Sequence, residues 1–422
     1  MFISFDEWVN HREISSWGSN FGADEIAFQG WRHFKEAYVP ELIKRAFDEC
    51  SIPVNRCLDP FGGSGTTALA CQFLGVSPIT IEVNPYLADL IESKLSSYNL
   101  IALAEDFGRV VKMSYGEVGD FDNFLKLLPP SFVEPGVNSR WIFNLDVAIR
   151  IFEITNAIEK LENEVNKRLF KVLLGGILVE VSNAVVNGKG RRYRKNWTTK
   201  KHNKSKVDEL FQRAVKIAIS DIAKYGNRKC ISYTLLRGDS RVLSANVNNI
   251  DLCIFSPPYP NSFDYTDVYN IELWMLNYLR TNTDNKELRI NTLTSHVQVK
   301  RDYKSYPKGS DLLKKTIEEL DGVKSLLWNK NIPSMVGTYF SDMLLIIENI
   351  YDNLAKGGEI WMVVGDSKYA GVKISTASIL IELMTSKDLK LINNEAFRSM
   401  RTSAQQGGQM GLDETLITFR KF

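Results

Sequence analysis

Arg56-Cys57-Leu58-Asp59-Pro60-Phe61-Gly62-Gly63-Ser64-Gly65-Thr66-Thr67, continued by Ala68 to Val76 and closed by Ser77-Pro78-Ile79-Thr80-Ile81-Glu82, is the stretch that decides the fold. Arg56 to Asp59 reads as a short buried strand, Pro60 to Gly65 as a glycine loop, Thr66 to Leu74 as a helix, and Pro78 to Glu82 as a second strand. Glycines after a buried strand permit a sharp turn and let a ligand approach the backbone closely, while the following helix points its first N–H groups at that ligand. Glu82 stands at the end of the next strand, where a carboxylate accepts hydrogen bonds from ribose hydroxyls. No Gly-Lys-Ser/Thr follows, so this is not a Walker loop. The unit is half of a doubly wound sheet suited to a nucleoside-containing cofactor.

On the N-terminal side, aromatic residues (Phe5, Trp8, Trp17, Phe21, Phe28, Trp31, Phe34) precede a helical run from Pro40 to Cys50, with Pro40 in the first turn where its missing N–H costs nothing. On the C-terminal side, residues from about 100 to 228 break the strand–helix alternation. Trp141 to Leu174 and Asp208 to Tyr225 carry apolar residues at three- and four-residue spacing and are expected to be helices. The alternation resumes with short apolar strands at Ser232–Leu236, Asp251–Phe255 and Glu359–Val364, and a helix at Tyr339–Leu354 that stops at Gly357-Gly358. The expected architecture is an α/β catalytic domain, with residues 1–100 its cofactor-binding half, 229–422 its catalytic half, and 101–228 a mainly helical insertion.

Charge is nearly balanced, at a formal +2 over 422 residues, and composition is that of a globular protein, with 44% hydrophobic and 24% charged residues. One segment departs from that balance: Val181 to Val207 holds no acid but includes Lys189, Arg191, Arg192, Arg194 and Lys195. Two readings stand, a phosphate-contacting surface and a solvated basic loop. Five scattered cysteines without a CxxC pair, and only four histidines, indicate neither disulfides nor a metal site. Without a membrane-spanning apolar run or a signal peptide, a cytoplasmic location is expected.

The second chemical signal is Asp251-Leu-Cys-Ile-Phe-Ser256-Pro257-Pro258-Tyr259. A strand here delivers four residues to the carboxyl edge of the sheet, where ligands bind in such folds. An exocyclic amine on a nucleobase is a poor nucleophile because its lone pair is delocalised into the ring. Acceptors at the Ser256 hydroxyl and the Pro257 carbonyl can hold its hydrogens, and Tyr259 can stack on a flipped base. Taken alone, the same residues also read as a proline-rich turn.

Asp59 to Thr67 together with Ser256 to Tyr259 resembles the amino-group DNA methyltransferases, which act on cytosine N4 or adenine N6. Ser256 is similar to the N4-cytosine branch, since adenine enzymes usually carry Asp or Asn there. The resemblance implies a Rossmann-like α/β sheet, S-adenosylmethionine as cofactor and double-stranded DNA as substrate. It assigns the cofactor to Asp59, Pro60, Phe61, Gly62, Gly63, Ser64, Gly65, Thr66 and Glu82. Asp239 is placed at the adenine amino group, although it also reads as a helix N-cap. Phe34 to Ile43 is similar to the segment that closes over the methionine end. Ser256, Pro257, Pro258 and Tyr259 carry the transfer, and Asn261, Phe263 and Tyr265 line the base pocket or merely pack. Arg398 to Glu414, with Arg401 and Gln405-Gln406, also recurs in the family and is expected to be a solvated edge rather than a DNA-facing segment or a cofactor lid. The insertion falls between Glu82 and Asp239, away from the family's common recognition regions. Its basic segment, Lys189 to Lys195, is the first candidate for target readout and Asn282 to Lys330 the second, with His296 a structural or phosphate-contacting histidine. A restriction-modification role with a cognate nuclease is the family expectation. N6-adenine methylation and a non-catalytic DNA-binding subunit are the alternatives.

Overall fold

The computed structural model describes the chain except residues 1, 15–16, 18–21, 23–24, 34–36, 117–118, 188–189, 200, 386–388 and 402–409. Seven strands form the central sheet: β1 (Arg56–Asp59), β2 (Ser77–Glu82), β5 (Thr234–Arg237), β6 (Ile250–Phe255), β7 (Leu354–Gly365), β10 (Leu389–Arg401) and β11 (Met410–Lys421). Two hairpins, β3–β4 (Ala184–Asn187, Gly190–Tyr193) and β8–β9 (Ser367–Tyr369, Val372–Ile374), stand apart from it. The sheet order is β10-β11-β7-β6-β1-β2-β5. All neighbours from β7 to β5 run parallel, and β11 is antiparallel to both β7 and β10. This is the expected Rossmann-like sheet, with a reversed strand near one edge.

The chain leaves β1 in one direction, through β2 to β5, and returns on its other side through β6 to β7. The carboxyl ends of β1 and β6 therefore flank the crevice where strand order reverses, the place where open α/β sheets bind ligands. Alternate residues along each strand face opposite layers. Leu252 and Ile254 join one core, and Cys253 and Phe255 join the other. The first core takes in the N-terminal segment, the helices Thr66–Leu74 and Pro85–Leu95, and the insertion. The second is closed by the helices Asp311–Gly322, Ile332–Asn353 and Thr376–Thr385.

Residues 100–225 are mainly helical, as expected, with long helices at Leu145–Glu159, Glu164–Val181 and Lys204–Tyr225. Their apolar faces are continuous with the sheet's own core, so the insertion packs onto the sheet and its helices rather than standing off from them. The N-terminal segment is clamped between these layers. Trp8 stacks on Phe73 at 4.5 Å, Trp31 donates its indole N–H to Asp221 at 2.9 Å, and Arg32 pairs with the fully buried Glu272 at 2.7 Å. Among the described residues, no helix is long and apolar enough to cross a membrane.

Candidate active site

The glycine loop is shaped by what packs behind it. Gly65 has φ +79°, and a Cβ there would sit 2.9 Å from Ile91 Cγ1. A Cβ on Gly62 would meet Thr80 Cγ2 at 2.4 Å, so the loop lies against β2 only because it lacks side chains. Gly62 N–H donates to the Ile81 carbonyl at 3.0 Å, and the buried Lys94 ammonium donates to the Ser64 carbonyl at 2.7 Å. The Ser240 hydroxyl donates to the Pro60 carbonyl, joining the loop after β5 to the loop after β1.

A cavity of about 530 Å³ opens at the carboxyl ends of β1, β2, β5 and β6. It collects Asp59 to Ser64, Thr66, Glu82, Asp239, Ser256 to Tyr259, Asn261, Phe263 and Tyr265, while Gly65 supports the loop without lining the cavity. Glu82 is 7% exposed and accepts N–H bonds from Gly63 and Asn84, both at 2.7 Å. Burial lifts its carboxyl to about 7 against the pull of those N–H groups, with nearby Asp59 adding to the rise. Asp59 is likewise pushed up to about 6 by burial, opposed by hydrogen bonds including that from Phe61 N–H. Two partly protonatable carboxyls thus share one wall of the cavity.

Asp239 caps the short helix Ser240–Leu243 by accepting the Arg241 N–H at 2.9 Å, and its carboxylate is also held by the Arg241 guanidinium at 2.7 Å. The N-cap reading therefore holds, and the same carboxylate lines the cavity. Asn261 turns its side chain inward to accept the Phe263 N–H at 3.0 Å, and Phe263 packs edge-on against Tyr265 at 4.5 Å. Both aromatic rings pack against each other and line the cavity.

One feature, the tail, was misplaced by sequence reasoning, while His296 keeps only its structural reading and Tyr38 is where the Phe34–Ile43 resemblance puts it. The tail is no solvated edge: β10 and β11 are sheet strands, and Arg398 and Glu414 line the cavity, with Glu414 4% exposed. Glu414 accepts the Tyr259 hydroxyl at 2.9 Å and the Arg398 guanidinium at 2.6 Å. Its signal was weak, the second of two adjacent acids, Asp413 and Glu414, ahead of Thr-Leu-Ile-Thr-Phe. His296 is 1% exposed, which rules out surface phosphate contact. Burial holds its imidazole at about 4 and hence neutral, against the pull of Asp264. Tyr38, beyond the undescribed 34–36, also reaches the cavity and bonds to Thr67 at 2.7 Å.

The basic segment is a hairpin rather than a loop through β3 and β4, with Gly188, Lys189 and Lys200 outside the described residues, as are Gln405 and Gln406. None of its described cations lines the cavity, yet β4 packs beside the short helix Tyr265–Val268 that follows the Ser256–Tyr259 loop. Arg192 and Lys195 are exposed. Arg191 lies over the Phe132 ring at 5.5 Å. Arg194 is committed elsewhere, donating to the carbonyls of Val179, Glu180 and Ala184, which ties the hairpin to the end of the Glu164–Val181 helix.

A family model described as DNA methylase, of the N6/N4 type, matches residues 8–93, which end just past the glycine loop and Glu82. The Type II methyltransferase M.AvaI of Nostoc sp. strain PCC 7120 is 26% identical over 405 residues, covering 89% of this chain and 82% of that protein. M.BsoBI of Geobacillus stearothermophilus is 25% identical over 456 residues, covering 95% and 86%. The chain is thus similar to amino-group DNA methyltransferases along most of its length, and its first quarter carries their family signature. The methyl donor of such an enzyme is S-adenosylmethionine, and the cavity suits it. Buried carboxylates at Glu82 and Asp59 offer acceptors for ribose hydroxyls and for a cationic group. The Thr66–Leu74 helix opens at the loop, and bare backbone at Gly62 and Gly63 allows close approach. The Ser256–Tyr259 loop faces that wall from across the switch point.

Proposed function

We propose that this protein transfers a methyl group from S-adenosylmethionine to N4 of a cytosine flipped out of double-stranded DNA. The observation that carries the reading is that Ser256, at the end of β6, shares one cavity with Glu82 and Asp59. S-adenosylmethionine, when bound, supplies an electrophilic methyl group on a sulfonium. Glu82 would hold the ribose, Asp239 the adenine amino group, and Asp59 to Thr66 the remainder. The Ser256 hydroxyl and the Pro257 carbonyl accept the two amine hydrogens, which draws the nitrogen lone pair out of conjugation. Tyr259 stacks on the base, and Asn261, Phe263 and Tyr265 shape its pocket. Positioning and hydrogen-bond polarisation supply most of the rate, and no covalent bond to the base is required. Cys253 is buried within β6 and has no part in the reaction.

Serine at position 256 favours cytosine over adenine, by resemblance to the N4 branch. Arg191, Arg192 and Lys195 on the hairpin beside Tyr265–Val268 would contact phosphates, and a restriction-modification pairing with a nuclease fits a Type II relative. Nucleoside mass spectrometry on unmethylated DNA incubated with protein and S-adenosylmethionine tests the reading. N4-methylcytosine, lost in Ser256→Ala with cofactor binding intact, is the expected result. N6-methyladenine overturns the base assignment, and no methylated nucleoside on several DNAs overturns the enzyme.

A further inference from the structure

An amine that takes up a methyl group becomes a cation and must lose a proton, and the roles assigned above leave that proton without a destination. The hydrogen bonds around Tyr259 supply one. Arg398 on β10 and Glu414 on β11 are direct cross-strand partners, and they form an ion pair with its nitrogen and oxygen 2.6 Å apart. Glu414 is therefore a carboxylate with acceptors only. The Tyr259 hydroxyl, 2.9 Å from Glu414 Oε1, must spend its single proton there. The contact between Ser256 Oγ and Tyr259 Oη, at 3.3 Å, can then run in one direction only, with serine donating. That leaves the lone pairs of Ser256 Oγ as the end of the chain facing the cavity, oriented to accept from an incoming N–H.

We propose that Glu414, held by Arg398, is the terminal proton acceptor of a chain running from the target amine through Ser256 and Tyr259. The inference rests on the amine-methylation reading above. As the nitrogen–carbon bond forms and the donor's sulfur–carbon bond breaks, the nitrogen gains a positive charge. One N–H proton passes to Ser256 Oγ, the serine proton passes to Tyr259 Oη, and the tyrosine proton passes to Glu414 Oε1. Serine and tyrosine end neutral and Glu414 ends as a carboxylic acid beside an unchanged guanidinium, so atoms and charges balance. Until the reaction occurs, the same chain fixes Ser256 as an acceptor rather than a donor. Other ionisable groups share the cavity, Asp59, Glu82, Asp239 and His296 among them, and more flank the chain itself. Tyr265 lies beyond Tyr259, and Asp366, following the Gly365 that pairs with Glu414, is held by Lys373 at 2.8 Å.

The test uses the full chain in four forms: wild type, Glu414→Gln, Tyr259→Phe and the double variant. Calorimetric binding of S-adenosylmethionine certifies the fold of each. Should Glu414→Gln fail it, Glu414→Asp takes its place, with a reduced rate and a retained acid limb expected. Single-turnover methyl transfer, followed against pH, is expected to fall about a hundredfold in each single variant, the lower end of general-base effects. The double variant is expected to be no slower than the slower single one, because both changes break the same chain. With S-adenosylmethionine saturating at every pH, so that the weakening through Glu82 and Asp59 does not enter the rate, the acid limb of the wild-type profile should vanish in Glu414→Gln. Ultraviolet titration without ligand adds a readout independent of activity. Tyr259, isolated as the difference between Glu414→Gln and the double variant, should ionise at lower pH than in wild type, since burial and, beside it, the Glu414 charge hold its proton on. Additive losses, a retained acid limb in Glu414→Gln, or an unmoved Tyr259 titration overturn the proton chain. If wild type methylates no exocyclic amine, the parent reading fails instead, and the two failures are distinguishable.

Discussion

Cofactor binding should weaken as pH falls below neutrality, because Glu82 must be ionised to accept ribose hydroxyls and its burial holds it near 7. Where only an ionised fraction is competent, the apparent Kd is the intrinsic value divided by that fraction. A group at about 7 is about one-eleventh ionised at pH 6 and about ten-elevenths ionised at pH 8, so Kd should rise about tenfold between them. Binding should release about 0.9 proton at pH 6 and about 0.5 at pH 7. Asp59, at about 6, adds further weakening at the acid end. The sign for the free protein is opposite. A carboxyl raised above its unfolded value stabilises the fold below the unfolded pKa, and that contribution is lost as pH rises through about 7. Calorimetry in two buffers of different ionisation enthalpy reads both Kd and proton release. Methylthioadenosine is the informative companion ligand, since it keeps the ribose but carries neither the sulfonium nor the amino acid. An equal slope for both ligands assigns the effect to the ribose, and Glu82→Gln should flatten it. A Kd constant within twofold from pH 6 to 8, or a slope that survives Glu82→Gln, refutes the reasoning.

Two further perturbations follow from single contacts. Glu272→Ala strands the buried Arg32 guanidinium and should cost about 3–5 kcal/mol in urea unfolding. The double change Arg32→Met with Glu272→Leu should recover most of that, and a single-variant loss under about 1 kcal/mol would contradict the buried pair. On the hairpin, Arg192→Ala and Lys195→Ala should each weaken DNA binding and reduce the salt slope by about 1, measured by anisotropy against salt concentration. Arg194→Ala should instead lower the melting temperature and leave the salt slope unchanged, since its guanidinium is occupied by three backbone carbonyls.

What could be read in advance was whatever lay contiguous in the chain. Asp59 to Thr67 and Ser256 to Tyr259 each sit on a loop bounded by a short apolar strand, so chemistry and position coincide in one run of residues. The helical insertion was legible for the same reason, because periodicity is local. The reading of Arg194 failed because charge in a sequence says nothing of whether a guanidinium meets a phosphate or caps a helix. The β10–β11 edge failed for a geometric reason. β10 pairs on one side only and slips register three times, so its apolar residues do not alternate cleanly. That loss matters most at Glu414, 155 residues from the tyrosine it accepts from. The Ser-Pro-Pro-Tyr loop names the groups proposed to touch an amine, but a hydroxyl is donor or acceptor according to its neighbour. The direction in which Ser256 points its proton is fixed by a carboxylate on a strand added at the far end of the chain. Sequence proximity therefore locates the reacting atoms, and sheet topology decides their polarity.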